Sequence, residues 1–159
     1  MEKWRNFFVW KMGRDSRGND IYPPLESVAT WGIYCKSIPF KIFDNIKQPA
    51  KRSWPDEHGD DEYIPQEGLY LEAYNMKVEF GCKRTSTVKD VRQKVGQFLE
   101  YLRATGHINL YSSYTRIGRQ NVRLDSVSDN SKWKSYDGSE YLIFEVTFHV
   151  GDPITDIFA

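Results

Sequence analysis

The alternation of apolar and polar side chains near the end of the chain constrains the fold more than any other feature of the sequence. Every second position there is apolar: Leu142, Phe144, Val146, Phe148 and Val150. Successive side chains of an extended strand point to opposite faces, so the pattern predicts a strand with one buried face. The strand should stop at Pro153, which cannot continue a hydrogen-bonded ladder. The chain therefore needs a sheet, and a second layer that covers it.

Similar patterns predict further strands, at residues 31–34, 38–43, 69–80, 108–117 and 119–127. Gly118 is the predicted turn between the last two of these, and residues 13–20, 129–131 and 137–139 carry other turn-forming residues. One helix is predicted between the strands, at about residues 87–105, from an apolar stripe of Val91, Val95, Phe98, Leu99 and Leu102.

Thr87 is the predicted N-cap of this helix, with Asp90 at its third residue, and Gly106 is placed to end it. Strands on both sides of a single amphipathic helix predict a mainly β fold, either a β-sandwich or a split barrel, with one packed α-helix.

A chain of 159 residues can bury one substantial core, so we expect a single β-rich domain over residues 1–159. We expect an extended N-terminal arm at about residues 1–30 and a long loop at about residues 48–68. Glu2, Lys3 and Arg5 interrupt the apolar residues at the N-terminus, which argues against a signal peptide. The sequence also lacks a run of about twenty apolar residues that could cross a membrane.

Catalytic and metal-binding patterns are absent from the sequence. Cys35 and Cys82 are far apart and outside any zinc-type spacing, so two buried thiols are favoured over a disulfide. The histidines are isolated, and no nucleophile elbow is present, although a triad assembled in space stays open. We therefore predict no catalytic residue, no cofactor and no metal, and a protein that is not an enzyme.

Function should then lie in contact surfaces. Lys plus Arg equals Asp plus Glu, at 22 each, so no bulk charge draws the chain to nucleic acid. The acidic residues at 56–62, in the long loop, favour an inter-subunit or solvated surface over a cation site. Arg116, Arg119 and Arg123 favour a salt-bridging partner over nucleic acid. The aromatic residues suit an interface or this chain's own core, with a sugar platform as the alternative. The candidate interface residues are Trp4, Phe7, Phe8, Trp10, Trp54, Asp60, Asp61, Glu62, Arg116, Arg119 and Arg123.

The order of these features resembles a known class of proteins. A Lys41 to Asp44 segment is followed by a long loop with residues 59–63, the strand at 74–80, a helix ending at residues 98–102, and residues 114–119. The order is similar to that of tailed-bacteriophage tail structural proteins of the tail-tube and distal-tail class, as found in phages of Bacteroides-type hosts, including the crAss-like group. The resemblance covers about residues 38–157.

This resemblance implies a two-sheet β-sandwich with a flanking helix, repeated around an axis into a ring, often sixfold, through which DNA passes. It brings no catalytic residues. A full distal-tail protein has a second, C-terminal domain that the resemblance does not include, so we expect a short tail-hub or ring component. The implied partners are further copies of the chain and neighbouring tail or connector proteins, in a virion tail assembled in the host cytoplasm. No membrane or small-molecule partner is implied. The alternative is a carbohydrate-binding β-sandwich that uses Trp54 and the tyrosine-rich residues 108–114.

Overall fold

The computed structural model describes residues 4–85, 90–128, 132–136 and 139–158. In this part of the chain the helices and strands are, in order, β1 (Phe8–Lys11), β2 (Leu25–Glu26), α1 (Ser27–Trp31), β3 (Ile33–Cys35), β4 (Lys51–Arg52), β5 (Asp61–Glu62), β6 (Tyr74–Lys83), α2 (Val91–Thr105), β7 (Ile108–Ser112), β8 (Ile117–Val127), β9 (Lys132–Tyr136) and β10 (Ser139–Val150). None of the helices described here is long and apolar enough to span a membrane.

One curled antiparallel sheet makes up most of the molecule, with the strand order β2-β1-β7-β8-β10-β6-β3. Its longest ladder joins β6 and β10, from Tyr141 opposite Lys83 to Val150 opposite Tyr74. β9 pairs with the first half of β10, whereas β8 pairs with the second half. β4 and β5 form a separate two-stranded hairpin. The prediction of a mainly β fold with one packed helix is confirmed.

The two outer strands of this sheet are joined across the gap between them. The chain passes directly from β2 through the short helix α1 to β3, and so connects one edge to the other. Residues 5–8 run beside this crossing: Arg5 exchanges backbone hydrogen bonds of 2.7 and 2.8 Å with Cys35, and the Ser27 amide donates to the Phe7 carbonyl at 2.9 Å. The sheet is therefore held in a half-barrel shape by the N-terminal part of the chain.

Helix α2 supplies the buried side chain at the centre of this half barrel. Phe98 has no exposed surface, and its ring centroid lies 5.3 Å from those of Phe80 and Trp31 and 5.9 Å from that of Phe7. Burying one phenylalanine side chain contributes roughly 1.5–3 kcal/mol, and favourable aromatic geometry adds to this. The sheet, the N-terminal segment and both helices thus share one aromatic core.

Several predicted boundaries are corrected by the structure. α2 begins at Val91, and its N-cap is Asp90, whose carboxylate accepts a hydrogen bond from the Gln93 amide at 3.1 Å. The predicted cap Thr87 lies outside the described residues, as do the predicted turns at 129–131 and 137–138. Gly106 ends the helix, as its position predicts, but its φ of 75° and ψ of −112° lie outside the left-handed helical region. The strand predicted at 69–80 begins only at Tyr74 and continues to Lys83.

The prediction of a strand at 38–43 is wrong, because these residues form an irregular segment. The turn after β7 occupies residues 113–116 and not Gly118, which lies inside β8 where a Cβ would meet the Ile157 carbonyl oxygen at 2.4 Å. The extended N-terminal arm is also corrected, since residues 5–11 and β2 belong to the sheet and its closure. α1 and β9 are elements that the sequence patterns did not indicate.

We predict that Phe98→Ala lowers the free energy of unfolding by roughly 3–5 kcal/mol, because it leaves a cavity where four aromatic rings converge. Urea denaturation at a fixed protein concentration measures the change. Gln97→Ala, at an exposed position one residue away, is the matched control and should change the same free energy by less than about 0.5 kcal/mol. Equal effects of the two substitutions would contradict the central position of Phe98.

Candidate interaction surfaces

The N-terminal aromatic residues divide between core and surface. Phe7 and Trp10 are fully buried because β1 lies inside the sheet, so their expected role at an interface is corrected to one in this chain's own core. Phe8 is half-buried against Tyr111, with ring centroids 6.2 Å apart. Trp4 is half-buried and covers Gly81. Only part of this aromatic group can therefore reach a partner.

The three candidate arginines do not form one patch. The Arg119 side chain is only 4% exposed; it forms an ion pair with Asp156 and donates a hydrogen bond to the Lys41 carbonyl at 3.3 Å. The predicted partner contact is therefore corrected: Arg119 forms contacts within the chain that join β8 to the segments around Lys41 and Asp156. Arg116 lies exposed in the turn after β7, with a φ of 58°. Arg123 lies further along β8, beside Asp125 at 3.4 Å.

The acidic loop is organised as the β4–β5 hairpin, in which Lys51 is opposite Glu62 and Arg52 is opposite Asp61. These residues are exposed, and Lys51 Nζ lies 3.9 Å from Asp60. The Arg52 guanidinium lies over the ring of the exposed Trp54, 5.4 Å from its centroid. Among the described residues, no group of three or more His, Cys, Asp or Glu side chains is placed to hold a metal ion. The hairpin thus presents charge and one aromatic ring to solvent.

A groove of about 660 Å³ lies at the end of the sheet where β8 begins; we call it the apolar groove. It is lined by Ile42, Phe43, Ile46, Leu69, Leu71, Thr115, Ile117, Arg119, Pro153, Ile154 and Asp156. Ile42 is 81% exposed and Phe43 72% exposed, so both apolar side chains stand almost free in solvent. Apolar surface concentrated in this way marks a site of interaction.

Backbone hydrogen bonds hold the walls of the groove in place. The Lys47 amide donates to the Tyr70 carbonyl and the Glu72 amide to the Asn45 carbonyl, each at 2.8 Å. On the other side, the Ile157 amide donates to the Gly118 carbonyl at 3.3 Å, next to the ion pair of Arg119. The exposed apolar residues are therefore presented by an ordered framework.

The apolar surface continues from the groove to the base of the β4–β5 hairpin. Leu69 also lines a second cavity of about 200 Å³, together with Lys47, Gln48, Pro49, Ala50, Tyr63, Pro65 and Tyr70. Tyr63, Ile64 and Tyr70 are all at least half exposed. Sequence reasoning missed this surface because the apolar residues at 38–43 were interpreted as a buried strand. Pro39, inside this stretch, argues against a regular strand but does not by itself indicate an exposed groove.

A different uncovered surface lies at the opposite end of the sheet. β7 pairs with β8 only as far as Val122, and β9 pairs with β10 alone. Within the described part of the chain, residues 123–127 and β9 have no strand on their outer side; we call this the free edge. Val127 and Trp133 are exposed along it, Trp133 to 55%. An unpaired edge offers backbone donors and acceptors to another chain.

A cleft of about 520 Å³ surrounds the N-terminal segment and is lined by Trp4, Arg5, Asn6, Glu26, Val28, Tyr34, Ser113 and Tyr114. The Arg5 guanidinium stacks 3.5 Å above the Tyr114 ring. Both carboxylate oxygens of Glu26 accept backbone hydrogen bonds at the start of α1, at 3.0 and 2.7 Å. The cleft thus offers aromatic faces beside polar groups, while its one carboxylate already has partners.

Among the described residues, the two cysteines lie in the core strands β3 and β6, and the histidines lie elsewhere. Cys35 and Cys82 are free and buried, which confirms the two buried thiols; burial raises the pKa of Cys35 to about 12 and that of Cys82 to about 11. Such thiols remain protonated at neutral pH and are poor nucleophiles. His149 Nδ1 lies 2.7 Å from the Asn75 side-chain oxygen, whereas His58 and His107 are exposed elsewhere.

Comparison with solved structures identifies a similar fold. The chain superposes on the Dit protein (gp 19.1) of phage SPP1 with a TM-score of 0.54 and 14% sequence identity. The fold resembles that of a phage tail hub protein. The Dit structure is described as a paradigm of the hub adsorption apparatus in phages that infect Gram-positive bacteria. The match covers 92% of this chain but 50% of Dit, so the chain spans about half the length of that protein.

No protein-family model matches the sequence, and no curated protein is similar to it in sequence. The likeness to Dit confirms the predicted resemblance to tail structural proteins at the level of the fold. The more detailed assignment to Bacteroides-type or crAss-like phages stays a prediction.

Asp152 anchors the segment that forms one wall of the groove, and its ionisation should make the stability of the protein depend on pH. Burial raises its pKa, but hydrogen bonds from Gln120 and from the Ile154 and Thr155 amides outweigh this effect and hold the pKa at about 2. The ordinary value is 3.8, so ionised Asp152 stabilises the folded state above about pH 4, and this contribution is lost as the pH falls through about 2. We expect Asp152→Asn to lower the free energy of unfolding at pH 6, by an amount that shrinks toward pH 2.

Urea denaturation at pH 6, 4, 3 and 2 measures this difference. Gln120→Ala keeps the carboxylate but removes one of its donors, so it should move the acid-induced loss of stability to higher pH. A difference between wild type and Asp152→Asn that stayed constant from pH 6 to pH 2 would contradict the role of the ionised carboxylate.

Proposed function

We propose that the chain is a structural subunit of the tail hub of a tailed bacteriophage, and that it assembles with further copies of itself into a ring around the DNA channel. The observation that carries this proposal is the fold similarity to SPP1 Dit over 92% of the chain. Because the identity is 14%, the likeness concerns the fold, and the function is inferred from it together with the surfaces of the molecule.

Two features of the surface support assembly. The apolar groove and the free edge are both uncovered, and they differ in shape and chemistry. Contacts between two different surfaces of the same chain are heterologous, and they generate a closed ring when the rotation between subunits closes. The exposed and half-buried members of the predicted interface set extend such contacts: Trp4, Phe8, Trp54, Asp60, Asp61, Glu62, Arg116 and Arg123.

The proposed role requires no catalysis, cofactor or metal. Its partners would be further copies of the chain and neighbouring tail or connector proteins, within a virion tail assembled in the host cytoplasm. The formal net charge of zero suits a channel that DNA crosses without sequence-specific binding.

We predict that the purified chain forms an oligomer of defined, ring-compatible mass at high concentration, alone or with the adjacent tail protein. Light scattering and native mass spectrometry give the mass, and negative-stain electron microscopy shows whether the particle has an axial opening. A strictly monomeric mass under both conditions would overturn the proposal.

A carbohydrate-binding role is the second candidate, and the cleft around Trp4, Tyr34 and Tyr114 is the observation that favours it. Tyrosine and tryptophan faces beside amide and hydroxyl groups suit sugar rings. The sequence predicts a sugar platform of Trp54 and residues 108–114, but Trp54 lies outside the cleft and most side chains of β7 are buried. Of that platform, Ser113 and Tyr114 line the cleft.

On this second candidate, calorimetry with millimolar neutral monosaccharides should give measurable heat that is lost in Tyr114→Ala. Trp54→Ala is a matched control that removes an exposed aromatic ring outside the cleft. An absence of binding across a panel of neutral sugars would remove this candidate.

A further inference from the structure

The apolar groove and the Trp133 side chain lie at opposite ends of the same sheet. Trp133 pairs with Leu142, which precedes Val150 by eight residues. At about 3.4 Å per residue, this places Trp133 roughly 27 Å from the end of β10. Pro153 and Ile154, which line the groove, follow beyond that end. A single chain therefore cannot place its own Trp133 in its own groove.

Trp133 has the properties of an anchor for a partner. Its cross-strand neighbour Leu142 is buried in the core, but Trp133, on the outer strand of the β9–β10 hairpin, is 55% exposed. Tryptophan residues that insert into preformed apolar pockets often dominate the binding energy of an interface. The free edge thus carries an aromatic side chain that lacks a full set of apolar neighbours.

The two surfaces also differ in charge. The segments that build the groove and its extension, residues 41–72 and 152–156, contain four Lys or Arg residues and ten Asp or Glu residues. The sequence of β9, Lys-Trp-Lys-Ser-Tyr, contains two Lys residues and no acid. Asp156 at the groove is paired with Arg119 yet remains mostly exposed. The charged groups that line the groove itself, Asp156 and Arg119, pair with each other, so the excess of acid lies in the adjoining hairpin. An apolar groove beside an acidic hairpin and an aromatic strand with two lysines in its sequence are complementary.

We propose that the apolar groove of one subunit receives strand β9 of a second copy, with Trp133 inserted among Phe43, Ile46 and Ile154. The contact joins the start of β8 in one subunit to the β9–β10 hairpin of the next. It is head to tail, so every subunit uses both surfaces once around a ring. This inference rests on the proposed ring function and specifies which surfaces meet.

The test is a cross-link between two variants that leave the apolar residues of both surfaces intact. Thr115→Cys places a thiol at the groove, and Ser135→Cys places one two residues after Trp133. The native Cys35 and Cys82 are buried with raised pKa values, so a short bismaleimide should react only with the introduced thiols. Differently tagged Thr115→Cys and Ser135→Cys chains, co-expressed, should give a covalent dimer that contains both tags.

Gln97→Cys, on the exposed side of α2, replaces Thr115→Cys in the matched control and should give no covalent dimer with Ser135→Cys. In parallel, Trp133→Ala should raise the subunit dissociation constant by at least about 30-fold, as expected for an aromatic hot spot, whereas Gln97→Ala should leave it unchanged. Circular dichroism checks that each variant keeps its fold.

The possible outcomes are distinct. An oligomer of the expected mass that gives no mixed cross-link overturns this pairing of surfaces and leaves the ring function standing. A covalent dimer of Thr115→Cys with itself shows groove-to-groove contact and also overturns the pairing. A monomer at all concentrations, alone and with the adjacent tail protein, overturns both the pairing and the proposed function.

Discussion

The structure depends on the burial of Phe98 inside a curved sheet. A flat sheet could not contact this ring from several sides, whereas the half barrel brings Phe80 and Phe144 from neighbouring strands to the same ring that Phe7 and Trp31 approach from the closing segment. The curvature, the crossing from β2 to β3 and the position of α2 therefore support one another. Removing any one of them would expose the same aromatic core to water.

One helix covers only part of so large a sheet, and this explains where the uncovered surfaces occur. α2 packs over the centre, against β6 and β8 and against Phe144 of β10. Trp133 of the β9–β10 hairpin is exposed at one end of the sheet, and Ile42 and Phe43 are exposed at the other. The described part of one chain has no further helix or strand that covers either end. A head-to-tail assembly would supply the missing cover from its neighbours.

The sequence predicts those parts of the fold whose pattern is local. The two-residue period of β10 and the apolar stripe of α2 each identify an element without knowledge of the rest of the chain. β1 has no such pattern, and its burial depends on β7, about one hundred residues later. Phe7 and Trp10 were accordingly assigned to an interface. The prediction of a partner contact for Arg119 is wrong for the same reason, since this arginine pairs with Asp156, 37 residues later in the chain. The exposed groove could not be inferred, because apolar residues at 38–43 look alike in sequence whether they face a core or a partner.

The groove is built from four stretches of chain that are distant in sequence, at residues 42–46, 69–71, 115–119 and 153–156. These stretches are held together by pairings between residues far apart in the sequence, Ile46 with Leu71 and Arg119 with Asp156, which form only once the intervening chain is folded back. A nascent or partly unfolded chain therefore displays no groove at all. Only a fully folded subunit would then be able to assemble. Misfolded copies would be left out of the particle because they lack the groove.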